Sequence, residues 1–118
     1  MTILDQLAAH ARERVAADQA ENSLDVLQTQ CRAIGRGRGA RFHSALETPE
    51  LSFICEVKKA SPSKGIIAKE FPYLEIARDY ERAGADAISC LTEPKWFLGS
   101  DQIFREIRGA VDTPMLRK

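Results

Sequence analysis

Two helical patterns alternating with three short apolar runs predict an α/β fold with buried parallel strands. The runs are 51–57 (LSFICEV), 87–91 (AISCL) and a third that opens at Met115-Leu116, where the sequence stops. Strand–helix–strand order implies parallel pairing, because each helix carries the chain back to the edge from which the next strand starts. Two architectures are commonly built this way, an open doubly wound sheet and a closed eight-stranded TIM barrel. The loop after the first run reads Lys58-Lys59-Ala60-Ser61-Pro62-Ser63-Lys64-Gly65 and contains no GxGxxG. The glycines of 35–39 follow a helical pattern rather than a strand, so a dinucleotide fingerprint fails in context. The expectation is therefore a partial TIM (β/α)8 barrel, its first three strands, preceded by two extra N-terminal helices.

Each element has its own signal. Residues 2–18 read as an amphipathic helix: Thr2 and Asp5 have capping-box spacing, and Ile3, Leu4, Leu7, Ala8, Ala11 and Val15 share a face. Ser23 is a good N-cap for a second helix through Leu24, Leu27, Cys31 and Ile34, with Gly35 as its C-cap. The stretch 35–39 (GRGRG) breaks helical structure and is expected to be a loop. Pro72 opens a helix bearing Leu74, Ile76, Ala77, Tyr80 and Ala83, closed by Gly84. Gly99-Ser100 caps another, with Ile103, Phe104, Ile107 and Ala110, and Pro114 ends it. Two parts follow: 1–50, a helical extension and loop, and 51–118, the β-α-β-α-β part of the barrel.

The 118 residues suit one ordinary domain, and a 44% hydrophobic share supplies a core. Seventeen basic and seventeen acidic side chains balance, which disfavours a nucleic-acid binder held by counterion release. Arg36, Arg38 and Arg41 interleave with glycines, but no aromatic stands in that loop to stack on bases. No run is long enough for a membrane span, and the charged N-terminus lacks a signal peptide's apolar region. Three widely spaced cysteines (Cys31, Cys55, Cys90) form no CxxC pair, and His10 and His43 are too few for a zinc site. A reduced, cytoplasmic protein with no metal is expected. Cys55 and Cys90 read as small buried hydrophobes.

Lysine is unevenly placed: all six lie beyond residue 50, three of them within 58–64. In parallel α/β folds ligands bind where strands end, which points to Glu56 and Lys58, Thr92 and Glu93, and Lys118. Glu56 and Lys58 are two apart, so they project from one face of their strand. If Phe53 and Cys55 face the helices, Ile54, Glu56 and Lys58 face the barrel mouth. A carboxylate beside an ammonium in a partly dry cavity can tune both for proton transfer. The competing reading is a stabilising ion pair. Ser61, Pro62, Ser63, Lys64 and Gly65 supply hydroxyls, a rigid turn and a cation suited to an anionic substrate, or simply an exposed turn. Lys118 is a second ammonium for that mouth, or a solvated terminus.

The segment 56–65 (EVKKASPSKG) resembles the first-strand signature of the indole-3-glycerol phosphate synthases. The segments 91–100 (LTEPKWFLGS) and 114–118 (PMLRK) agree with that family in order and spacing, so the resemblance covers almost the whole chain. It implies a reaction of tryptophan biosynthesis: ring closure of 1-(2-carboxyphenylamino)-1-deoxyribulose 5-phosphate with loss of CO2 and water. No metal or organic cofactor is implied. By resemblance, Lys118 matches the general acid at the substrate carbonyl. Lys58 matches a lysine contacting the anionic groups and serving as an acid in dehydration, and Glu56 the carboxylate working with it. The division of steps between the lysines stays open. Ser61, Pro62 and Ser63 match the loop after strand one, and Phe97 an aromatic lining the anthranilate pocket.

A whole barrel takes about 250 residues, and this chain supplies three of its eight strands. Little or no synthase activity is expected of the isolated chain. The alternative function is an inactive assembly module whose open strand edges pair with a complementary barrel fragment; a fused tryptophan-pathway domain is another conceivable partner. Nucleic acid and membrane are not expected partners.

Overall fold

A computed structural model describes all residues, 1–118. It is an α/β structure with five helices, a three-stranded parallel sheet and a small antiparallel pair. By its internal contacts the chain divides into two compact units, 1–37 and 38–118.

The first unit holds α1 (Ile3–Glu21) and α2 (Leu24–Ile34). The expected caps are present. The Thr2 hydroxyl accepts from the Asp5 amide at 3.2 Å while the Asp5 carboxylate accepts from the Thr2 amide at 2.8 Å. Ser23 Oγ accepts from Val26 at 3.3 Å, and Gly35 ends α2 with φ 75°. Neither helix buries a residue fully, and Leu4, Val15, Leu24 and Ile34 are exposed. Cys31, placed on the apolar stripe of α2, is also exposed.

The second unit opens with a helix that the sequence reading treats as loop. α3 (Gly39–Leu46) starts at the last glycine of GRGRG, so three helices rather than two precede the sheet. The reason is local: Phe42, Ala45 and Leu46 have i, i+3, i+4 spacing and are half-buried, which offsets a poor start at Arg38, where no side chain caps the helix. β1 (Ile54–Val57) begins three residues later than the apolar run suggests. Then come β2 (Ala60–Ser61), β3 (Gly65–Ile66), α4 (Tyr73–Arg82), β4 (Ala87–Cys90), α5 (Asp101–Ala110) and β5 (Met115–Arg117).

The sheet order is β1-β4-β5, all parallel, so strand order follows chain order. One face packs on α4 and α5. Val57, Ile88 and Cys90 from the strands meet Ala77 of α4, Ile107 of α5 and Val111 just past α5, and all six are buried. Alternation puts these three strand residues on the helix side, while β4 is buried on both faces, with Ala87 and, just past its end, Leu91 on the other. Burial pushes the Cys90 thiol up to about 11, so it behaves as a small hydrophobe; Cys55 is half-buried.

Side chains also tie the helices to the sheet. Tyr80 Oη donates to the Glu56 carbonyl at 2.8 Å, and Glu81 Oε2 accepts from the Asp112 amide (2.7 Å), the Thr113 amide (2.9 Å) and the Thr113 hydroxyl (2.8 Å). The Thr113 amide and hydroxyl, then the Asp112 amide and Arg108 charge, outweigh the opposing effect of burial and hold the Glu81 carboxyl below its usual range. Glu81→Ala removes the acceptor for three donors at the entry to β5. Chemical denaturation is expected to show a loss of about 1–3 kcal/mol.

Candidate active site

The sheet face opposite the helices carries the candidate residues. Register aligns Glu56 on β1 with Ser89 on β4, and Ser89 with Leu116 on β5. Two residues further on lie Lys58, Leu91 and Lys118, at the C-terminal ends of the strands. Val57 and Cys90 are spent on the helical core, and Arg117 turns the same way, its guanidinium bridging Asp101 of α5 at 2.7 Å. Period-2 alternation therefore leaves Glu56, Lys58 and Lys118 on the other face.

There they meet. Glu56 Oε1 lies 3.2 Å from Lys58 Nζ, and Oε2 lies 3.1 Å from Lys118 Nζ. One carboxylate thus bridges two ammonium groups, one on its own strand and one two strands away. The cluster is accessible: the Glu56 side chain is 30% exposed and that of Lys118 56%. Burial raises the Glu56 pKa, but hydrogen bonds from Lys118 and Lys58, with their charges, more than cancel this and hold it below the ordinary carboxylate value.

The sign of the pH dependence follows. A carboxyl whose folded pKa is depressed stabilises the fold above its unfolded pKa and loses that contribution as pH falls through the folded value. Solvent screening keeps the contribution small, below about 1 kcal/mol per pair. Carboxyl NMR is expected to show Glu56 titrating below the ordinary glutamate range, and Lys118→Met is expected to move it upward.

Lys118 is fixed at its backbone as well. Its carbonyl accepts from both the Thr92 amide (2.8 Å) and the Thr92 hydroxyl (2.9 Å), and its own amide donates to the Cys90 carbonyl at 3.0 Å. Thr92 is buried, so these bonds are shielded from water. Ser89, between Glu56 and Leu116, is also buried, and its Oγ has no hydrogen-bond partner within the protein. Sequence reading names Thr92 only as a strand-end residue and misses Ser89. The available signal is its parity with Glu56 across the sheet, which needs the register.

The serine loop is structured. β2 and β3 pair antiparallel, Ala60 with Ile66 and Ser61 with Gly65. Ser61 is buried; its Oγ accepts from the Lys64 amide at 3.2 Å and lies 3.5 Å from Ser63 Oγ. Pro62 is half-buried, Ser63 and Lys64 are exposed, and Gly65 has φ 63°. Ser63, Lys64 and Gly65 of this tip are open to solvent. Phe97 is half-buried on the loop between β4 and α5, at the same sheet end, and its amide donates to Glu93 at 3.1 Å. Lys95 stacks over Trp96, 4.6 Å from the ring centroid. No group of three His, Cys, Asp or Glu side chains could hold a metal ion, and no helix is long and apolar enough to cross a membrane.

Fold and cluster define an α/β protein with two cations and one carboxylate grouped at the C-terminal edge of a parallel sheet. The family model described as indole-3-glycerol phosphate synthase matches residues 4–118, and the chain belongs to that family. It is 47% identical over 116 residues to the indole-3-glycerol phosphate synthase of Ruminiclostridium cellulolyticum, covering 98% of this chain and 45% of that protein. The synthases of Endomicrobium trichonymphae and Lacticaseibacillus paracasei are 44% and 47% identical over the same shares. The chain thus spans somewhat under half the length of these curated relatives.

Proposed function

We propose that residues 51–118 are the first β-α-β-α-β part of a TIM barrel, with 1–50 as its N-terminal extension, and that they contribute catalytic groups for indole-3-glycerol phosphate synthesis. The carrying observation is the bridging of Glu56 between Lys58 and Lys118 at the C-terminal strand ends, where barrel enzymes place their chemistry. Ring closure needs a proton at the ketose carbonyl oxygen as the new carbon–carbon bond forms, and a second proton on the departing hydroxyl. CO2 leaves with its bonding electron pair returned to the ring. Two ammonium groups around one carboxylate suit such proton traffic, because the carboxylate can take the proton that leaves the former ketose C1 as the indole ring forms and pass it to a lysine that has given one up. Lys118 acts on the carbonyl, Lys58 contacts the anionic groups and assists dehydration, and Glu56 serves both. Ser61, Pro62 and Ser63 shape the rim for the substrate's anionic groups, and Phe97 lines the pocket for its aromatic ring. No metal or organic cofactor enters this scheme.

The experiment is a titration of the 118-residue chain with 1-(2-carboxyphenylamino)-1-deoxyribulose 5-phosphate, followed by amide NMR. Shifts concentrated at Lys58, Phe97 and Lys118 are expected. Shifts confined elsewhere, or none at millimolar ligand, would count against the reading.

A second reading makes the chain an assembly module, and one observation favours it. β1 and β5 are each paired on one side only, and on the open face of the sheet Ile54 is 49% exposed and Leu116 43%. Such edges pair readily with another strand. Sedimentation that depends on concentration, without substrate binding, would support this module over the enzyme.

A further inference from the structure

Glu93 organises the loop between β4 and α5. Its Oε1 accepts from the Lys95 amide at 3.0 Å, and its Oε2 from the Trp96 amide at 2.7 Å and the Phe97 amide at 3.1 Å. Three consecutive amides converge on one carboxylate, and charge-assisted bonds of this kind are the strong ones. The far side of the loop is pinned to the same residue, since the Gly99 amide donates to the Glu93 carbonyl at 2.9 Å. Gly99 also runs against the end of β4 so closely that a Cβ there would sit 2.2 Å from the Leu91 carbonyl oxygen. Between these anchors Leu98 takes φ 53°, a conformation a branched side chain adopts only when its surroundings impose it. Connecting a strand to a helix requires none of this. What the arrangement fixes is the backbone of Trp96 and Phe97, two aromatics at the sheet end that carries Glu56, Lys58 and Lys118.

We propose that Glu93 is a positioning residue for the aromatic wall of the site: by gathering the amides of Lys95, Trp96 and Phe97 it sets Phe97 to receive the ring of an aryl-carboxylate substrate. The proposal rests on the synthase reading above and adds a residue that acts through the loop and not on the reacting atoms. Its sequence position at a strand end marks Glu93 as a candidate ligand-binding residue; the three amides assign its carboxylate to the loop.

The test uses the 118-residue chain with anthranilate as probe. Amide hydrogen exchange reads loop order, and anthranilate-induced NMR shifts at Phe97 read the wall. In the isosteric variant Glu93→Gln, exchange at residues 95–97 is expected to rise about tenfold or more, with the core amides of Ile88 and Cys90 unchanged. Anthranilate binding is expected to weaken about threefold or more. Glu93→Ala moves both readouts further the same way; if it also loosens the core, the Gln variant carries the comparison. Unchanged exchange in Glu93→Gln overturns the positioning role whatever the ligand does. Faster exchange with undiminished anthranilate binding overturns the link to the wall. Wild-type protein whose Phe97 does not respond to anthranilate overturns the synthase reading of the pocket, and the ring-receiving role falls with it.

Discussion

Lys118→Met, made in a protein that joins residues 1–118 to the remaining strands of the Ruminiclostridium cellulolyticum synthase, is expected to lower kcat about 10²–10⁴-fold. That is the usual cost of removing a positioned general acid. Methionine keeps the length and apolar stem of lysine but has no proton to give. The Lys118 backbone is held independently, by two bonds from Thr92 and one to Cys90, so the loss reads on chemistry rather than on folding. Glu56→Gln is expected to fall in the same range. The double variant is expected to cost far less than the product of the two, because the groups sit 3.1 Å apart and act as a unit. Multiplicative losses would show that Glu56 and Lys118 work separately. Steady-state kinetics on the three proteins decides it.

Ile88→Ala is expected to destabilise the 38–118 unit by about 2–5 kcal/mol, the range for truncating a large aliphatic side chain in a tight core. Ile88 is fully buried at the middle of the central strand, in register with Cys55 on one side and Met115 on the other. Its side chain belongs to the one cluster that joins the strands to α4 and α5. Since native domains hold only about 5–15 kcal/mol in total, the variant is expected to populate unfolded chain at moderate denaturant. Urea unfolding followed by circular dichroism measures the shift. A loss below about 1 kcal/mol would mean that this core is not what holds the sheet to its helices.

Much of the framework was legible because it rests on local signals. Thr2 with Asp5, Ser23, Gly35, Gly84 and Ser100 mark helix ends, and all act near the positions where their chemistry puts them. The placement of Glu56 and Lys58 on one face was legible from period-2 alternation, and the burial of Val57 among the helices fixes which face that is. α3 was hidden because two turns beginning inside GRGRG look like loop, and only the side chains of Phe42, Ala45 and Leu46 make the helix worthwhile. The β2–β3 pair was hidden because two-residue strands carry no alternation. The rest of the site depends on long-range register. Neither the grip of Thr92 on Lys118, 26 residues away, nor the alignment of Ser89 with Glu56 follows from spacing along the chain. The hold of Glu93 on its own loop was hidden for a related reason: backbone amides, unlike side chains, leave no mark in a sequence.

The most direct measurement is turnover by the joined protein itself. Residues 1–118, followed by the remaining strands of the Ruminiclostridium cellulolyticum synthase, are supplied with 1-(2-carboxyphenylamino)-1-deoxyribulose 5-phosphate, and indole-3-glycerol phosphate is followed by its indole absorbance. The account predicts formation of the product, slowed about 10²–10⁴-fold by Lys118→Met. A soluble, folded joined protein that makes no product, while the parent synthase does, would contradict it.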